Sequence, residues 1–187
     1  MSESSQPLIR FMLSDIDGTL LRADHSLSQA NIDAVRKLRE AGIQFSVASS
    51  RPPRAMRQQI EALGIDLPTV GFNGANIVNP DGSLLKAHRI DADAARTSLE
   101  LFAGEKVSVW VFADDQWLLL DPQGDYVEHE RNTLGYDFVQ VEHFEDYLDR
   151  IDKIVAASKD FELLKRLEVQ LNPLIAEAAR AARSQSY

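Results

Sequence analysis

Leu13-Ser14-Asp15-Ile16-Asp17-Gly18-Thr19-Leu20-Leu21 is an apolar stretch that gives way to two carboxylates, a glycine and a threonine. Residues 9–13 predict a short buried strand, and Gly18 predicts the loop that ends it. Side chains i and i+2 of a strand start on the same side, so Asp15 and Asp17 are aimed at one small volume. Like charges that close raise one another's pKa or recruit a cation. An Asp-x-Asp-Gly tetrapeptide is also an ordinary solvated turn. What sets this one apart is the apolar run before it, Thr19-Leu20-Leu21 after it, and a second polar strand end near Ser49.

Downstream, Ser28 predicts the cap of a helix whose Ile32, Val35 and Leu38 recur at helical spacing, with Gly42 stopping it. Residues 43–48 predict a second strand ending in Ser49-Ser50-Arg51. Pro52 and Pro53 suit the first turn of a helix carrying Met56, Ile60 and Leu63, and residues 69–72 predict a third strand that ends at Asn73-Gly74. Strands alternating with helices predict a parallel sheet with crossover helices, and ligands bind such sheets beyond the carboxyl ends of the strands. Asp15, Asp17, Ser49 and Asn73 all fall at those ends.

From Ala75 onward the pattern changes. Pro80-Asp81-Gly82 predicts a hairpin turn, Asp91 or Asp93 a helix start, and Asp114-Asp115 the tip of a second hairpin. A short helix over residues 126–136, a strand near 138–141, a short helix over 144–150 and a strand over 153–157 follow. Asp160 predicts a helix cap, Asn172-Pro173 a break, and the alanine-rich residues 176–182 a further helix. Hairpins mixed with helices predict a second, α+β domain.

The chain has 187 residues, 44% of them hydrophobic and 26% charged, as in ordinary globular proteins. A formal net charge of -9 argues against nucleic acid or an anionic membrane as the main partner. The absence of cysteine excludes disulfides and thiolate metal sites. No apolar run approaches the roughly 20 residues of a membrane span, the first residues are polar and Ser-rich, and a cytoplasmic location is the default expectation.

Asp15-Ile16-Asp17-Gly18-Thr19-Leu20, followed by Ala48-Ser49-Ser50-Arg51-Pro52 and Asn73-Gly74-Ala75, resembles the haloacid dehalogenase-like (HAD) hydrolases, in their Cof-type, sugar-phosphatase-like branch. The resemblance implies an α/β fold with a partial Rossmann-like parallel-sheet core over residues 1–87, and an inserted α+β cap domain over residues 88–187. It implies a Mg2+-dependent phosphatase acting on a small phosphorylated metabolite. Asp15 would be the nucleophile that forms an aspartyl-phosphate, and Asp17 the general acid and base. Mg2+ would be held by Asp15 and the backbone carbonyl of Asp17. The phosphate would be bound by the Gly18 and Thr19 amides, the Ser49 hydroxyl, Arg51 and Asn73. For Arg51 a surface salt bridge competes with that role, and for Asn73 a turn-forming role does. The family usually has glycine where Ser50 stands.

The same resemblance calls for a phosphate-steadying lysine and a Gly-Asp-x-x-(Asn/Asp) segment after the cap. Gly124-Asp125 is followed by Tyr126-Val127-Glu128 inside cap-like sequence, as are Lys153, Lys159 and Lys165. The expectation is a chain shortened before the returning half of the core, with an exposed sheet edge, weak Mg2+ binding, impaired turnover and a possible tendency to self-associate. A non-enzymatic phosphate-binding remnant is the main alternative, and a receiver-like phosphoacceptor domain the second. His25, His88, His129 and His143 lack metal-ligand spacing and read as surface or packing residues. Trp110 and Trp117 read as core.

Overall fold

The computed structural model describes residues 9–184, and its internal contacts fall into two units that divide between Lys86 and Ala87. In the first unit, Phe11–Ser14 (β1) pairs in parallel with Gln44–Val47 (β2), and the connection between them carries the helix Gln29–Glu40 (α1). The Ser28 Oγ accepts the Asn31 N–H at 3.1 Å, which satisfies one of the amides that the first turn of α1 leaves unpaired. Beyond β2, Pro53–Met56 forms a single 3-10 turn that leads into Arg57–Leu63 (α2). Thr69–Gly71 (β3) then joins β2 through a parallel bridge between Ala48 and Val70. β3 continues antiparallel to Asn76–Val78 (β4), which is flanked by Leu84–Ala87 (β5). The third strand therefore has a parallel bridge on one side and an antiparallel partner on the other, whereas the sequence predicts the change of pattern only from Ala75 onward.

The core of this unit is Ile16, Val35, Phe45, Val47, Met56 and Leu63, with Leu21 and Ile65. β1 is not part of it. Phe11, Met12 and Leu13 are 50%, 41% and 51% exposed, so the expected buried strand is an exposed one. The reason is pairing on one edge only. The carbonyls of Arg10 and Ser14 accept from the amides of Gln44 and Ala48, so alternate residues face β2. The peptide groups of Phe11 and Leu13 face the opposite edge, where no described strand pairs.

The second unit is a four-stranded sheet in the order β8-β7-β6-β9, formed by Val139–Gln140 (β8), Gln116–Leu119 (β7), Ser108–Ala113 (β6) and Ile151–Ala157 (β9). β6 and β7 make the hairpin predicted around Asp114-Asp115, with positive φ at both residues. The Asp114 carboxylate pairs with Arg150 at 2.9 Å and with Arg89 at 3.6 Å, which makes it a tip tied by arginines. Ala92–Ala103 (α3) starts at Asp91, whose Oδ1 accepts from the amides of Asp93 and Ala94. Against α3 and Phe161–Ile175 (α5) pack Val109 and Ile154 of the sheet. The other face carries Trp110, Phe112, Trp117 and Leu119, all buried, with Trp110 and Trp117 edge to face at 5.7 Å. Val127–Leu134 (α4) lies on this side, its Arg131 stacked over Phe138, which itself meets Trp117.

Two expectations for the last segment are corrected. α5 runs through Asn172-Pro173 to Ile175 without a break. Pro173 falls in the final turn, and the Asn172 side-chain amide donates to the Glu168 carbonyl beside the backbone bond that proline cannot make. The alanine-rich residues 176–182 are not a helix beyond a turn. Asn172 is again the cause: its amide donates to the Ala181 carbonyl and its Oδ1 accepts the Ala181 N–H, drawing the chain back along α5 instead of onward. The family resemblance also implies a turn toward a strand at about residues 184–187; Ser184 is in no strand, and residues 185–187 lie outside the described residues, as does the polar start of the chain.

Candidate active site

The loop after β1 is anchored by Ile16, which is fully buried in the core, and closed by the Leu21 amide donating to the Ile16 carbonyl at 3.0 Å. Between these points Gly18 adopts φ +72°, a left-handed conformation that costs a side-chain-bearing residue strain. The chain then makes a narrow loop pinned by a bridge between Leu21 and Leu27. Its tip is an Asp-Ser turn in which Ser26 donates both its amide and its hydroxyl to Asp24. Those two donors hold the exposed Asp24 carboxyl below its ordinary range.

Asp15 is exposed at the end of β1, and its Oδ1 accepts the Ile16 amide at 2.8 Å. Asp17 turns elsewhere. Its carboxylate receives a two-pronged ion pair from Arg51, Nε to Oδ2 at 2.8 Å and Nη2 to Oδ1 at 2.7 Å. The two carboxylates expected to share one volume are thus engaged by different partners. The Arg51 side chain is only 9% exposed and that of Asp17 38%, so the surface salt bridge considered from sequence is a part-buried one, linking the segments that follow the first and second strands. Fork geometry of this kind is shorter and more directional than a single charged hydrogen bond.

The second and third strand ends are tied in turn. Ser49 is buried, its amide donates to the Val70 carbonyl, and its Oγ accepts the Arg51 amide at 3.2 Å, which leaves the hydroxyl hydrogen to donate. The Asn73 amide donates to the Ser49 carbonyl and the Phe72 amide to the Arg51 carbonyl. Asn73 itself is an exposed turn residue at φ +55°. Gly71 permits the close approach: a Cβ there would lie 2.9 Å from the Pro53 ring. Of the residues chosen from sequence, Asp17, Ser49, Arg51 and Asn73 are connected by bonds, whereas Asp15, Gly18 and Thr19 lie on the first loop without a direct bond to the others among the described residues.

Sequence reasoning missed His25. It sits on the narrow loop at φ +59°, its amide held by the Arg22 carbonyl, and its Nδ1 lies 3.7 Å from Asp17 Oδ1. Nothing in the spacing of the histidines signals this, because the loop fold brings it back. Its position within the turn-rich stretch after the motif was the available clue.

For a metal ion, the described residues hold no group of three or more acidic or histidine side chains. At this site the Asp15 carboxylate is exposed, while that of Asp17 is taken by Arg51. That is compatible with Mg2+, which retains waters and uses one or two carboxylates beside substrate phosphates.

A family model described as haloacid dehalogenase-like hydrolase matches residues 12–187. The chain belongs to that family. It is 28% identical over 173 residues to the HMP-PP phosphatase of Escherichia fergusonii, a match covering 92% of this chain and 62% of the relative. The HMP-PP phosphatase of Cronobacter sakazakii is 33% identical over 104 residues, covering 56% of this chain and 38% of the relative. The chain thus spans less than two thirds of the length of these curated relatives. Among solved structures, a HAD-like hydrolase from Bacteroides thetaiotaomicron aligns at TM-score 0.85 and 18% identity, covering 95% of this chain and 68% of the other. A HAD phosphatase from the same organism, BT1666, aligns at TM-score 0.71 and 26% identity, covering 91% and 65%. These place the α/β architecture with the HAD fold.

Proposed function

We propose that this chain carries the nucleophile half of a HAD-type phosphatase site for small phosphate monoesters, with residues up to 87 forming the sheet core and the rest a cap. The observation that supports it most is the linked set at the three strand ends: Asp17 on Arg51, Arg51 on Ser49, and Ser49 on Asn73. In a parallel sheet that is where a ligand binds. The phosphatase names of the curated relatives agree with this reading. No helix among the described residues is long and apolar enough to cross a membrane, which suits a small phosphorylated metabolite met in the cytoplasm.

In this scheme Asp15, exposed and turned only toward its neighbour's amide, attacks phosphorus in line and becomes an acyl phosphate. Asp17 gives its proton to the leaving oxygen and later takes one from the water that cleaves the acyl phosphate. The Ser49 hydroxyl and the amides of Gly18 and Thr19 donate to phosphoryl oxygens, with Arg51 supplying positive charge and Asn73 shaping the rim. Mg2+ held by Asp15 and the Asp17 carbonyl would supply charge neutralisation where the anions meet.

Turnover is expected to be weak, since the metal donors are few and β1 is half exposed. The same two observations favour a second reading in which phosphate binds without hydrolysis. A panel of sugar and nucleotide phosphates with Mg2+ separates them. Phosphate release abolished by Asp15→Asn supports the phosphatase. Ester binding with no release from any substrate supports the binding module, and neither binding nor release rejects both.

A further inference from the structure

The Arg51 fork takes both oxygens of Asp17, and this bears on how the site would work. A carboxylate so held has one acceptor site on each oxygen turned to the guanidinium, and it must leave that orientation before it can meet a leaving group. The guanidinium, 9% exposed, has two of its five N–H groups committed to that carboxylate. We infer that the Arg51–Asp17 pair is a resting latch, in which each group blocks the other until an incoming phosphate anion takes Arg51 and releases Asp17. This rests on the proposed phosphate site and goes beyond it, because it makes the arginine a conditional ligand and the acid a conditional acid.

The surroundings make the exchange feasible. Arg51 is fixed at its backbone, with its amide on Ser49 Oγ and its carbonyl on the Phe72 amide, so the side chain can pivot without the strand end moving. Asp17 is on the loop that Gly18 bends, 38% exposed, and His25 Nδ1 stands 3.7 Å from one of its oxygens to receive it on the solvent side. A phosphate dianion offers the guanidinium the same two-oxygen edge as a carboxylate with more charge. The exchange breaks one ion pair and forms another, with no covalent step.

The test measures inorganic phosphate binding by calorimetry to the whole chain and to variants, without metal. Asp17→Asn cannot hold the fork, so the freed guanidinium should bind phosphate about tenfold or more tightly than the native chain. Asp15→Asn removes the same charge but leaves the latch, and should gain no more than about threefold. In the double variant Asp17→Asn, Arg51→Gln the gain should vanish. Equal gains in the two single variants, or a gain that survives loss of Arg51, would overturn the latch and leave plain charge removal. Should Asp17→Asn fail to fold, the native chain still reports: the resonance of the Arg51 Nε–H, which donates to Asp17 Oδ2, should shift when added phosphate replaces that partner. A signal unchanged at saturating phosphate overturns the proposal, and so does absence of phosphate binding in every variant. Ester turnover and its loss in Asp15→Asn judge the phosphatase reading separately.

Discussion

The two units of this chain differ in how they are covered. The sheet of the second unit is buried on both faces along β6 and β7, with Val111, Ala113, Trp117 and Leu118 fully inaccessible. The sheet of the first unit begins with a strand whose three apolar residues are each more than two fifths exposed and whose outer edge is unpaired among the described residues. Yet the first unit holds the acidic loop, the buried arginine and the serine. Burial and candidate site residues are therefore separated along the chain: the residues proposed for chemistry lie on the more exposed sheet.

The largest expected effect follows directly. Trp117→Ala empties a fully buried site between β6, β8 and Phe138 and should cost about 3–5 kcal/mol, read by urea unfolding through the fluorescence of Trp110. Leu13→Ala, in a strand 51% exposed at that residue, should cost well under about 1 kcal/mol. A large loss from Leu13→Ala would mean that β1 is covered in solution and would end the contrast. A related expectation needs no mutation. Both tryptophans lie in the second unit, so their fluorescence reports that unit alone while far-UV dichroism reports both. The dichroism should begin to fall at lower denaturant than the fluorescence. Coincident curves would show the units unfolding as one.

How much of this was legible in the sequence depended on distance. Ser28, Asp91 and Asp160 act on amides two or three residues away; Ser28 and Asp160 were readable as caps, and Asp91 as one of two possible starts beside Asp93. The motif residues were readable for the same reason, since strand ends and glycine turns are local. What was not readable was set by remote partners. Burial of β1 depends on what stands at its second edge, which its own apolar residues do not encode. The Arg51 fork reaches across 34 positions to Asp17, and Asn172 holds Ala181 by side-chain bonds that helix propensity does not register. Pro173 was misread as a break because its harm depends on how many turns follow it.

Capping offers a smaller and opposite check, since it should ignore the difference between the units. Ser28→Ala at α1 and Asp160→Ala at α5 each remove one side-chain acceptor from a first-turn amide, at 3.1 Å and 3.0 Å. Each should cost about 1 kcal/mol. Denaturation midpoints of the two variants check it: a loss confined to one unit would mean that the cap works through packing as well as through its hydrogen bond.

The smallest effect probes the better-covered sheet from inside. Lys153 on β9 sits on the aromatic side of the sheet, its ammonium 6.0 Å from the Phe112 ring centroid. Burial pushes its pKa below the ordinary 10.5, with Glu130 of α4 opposing the shift. The sign follows from proton counting. Between the lowered folded pKa and 10.5 the unfolded chain keeps a proton that the folded chain has released, so the unfolded state binds more protons and stability rises with pH. Below that window both states are charged and the cost of burying the ammonium is fully present. The urea midpoint of the native chain, followed by tryptophan fluorescence, should therefore climb as pH approaches 10.5, and Lys153→Met should flatten the climb. Equal slopes in the two proteins would mean that water reaches the ammonium, and that the second sheet is less tightly closed over this strand than its tryptophans suggest.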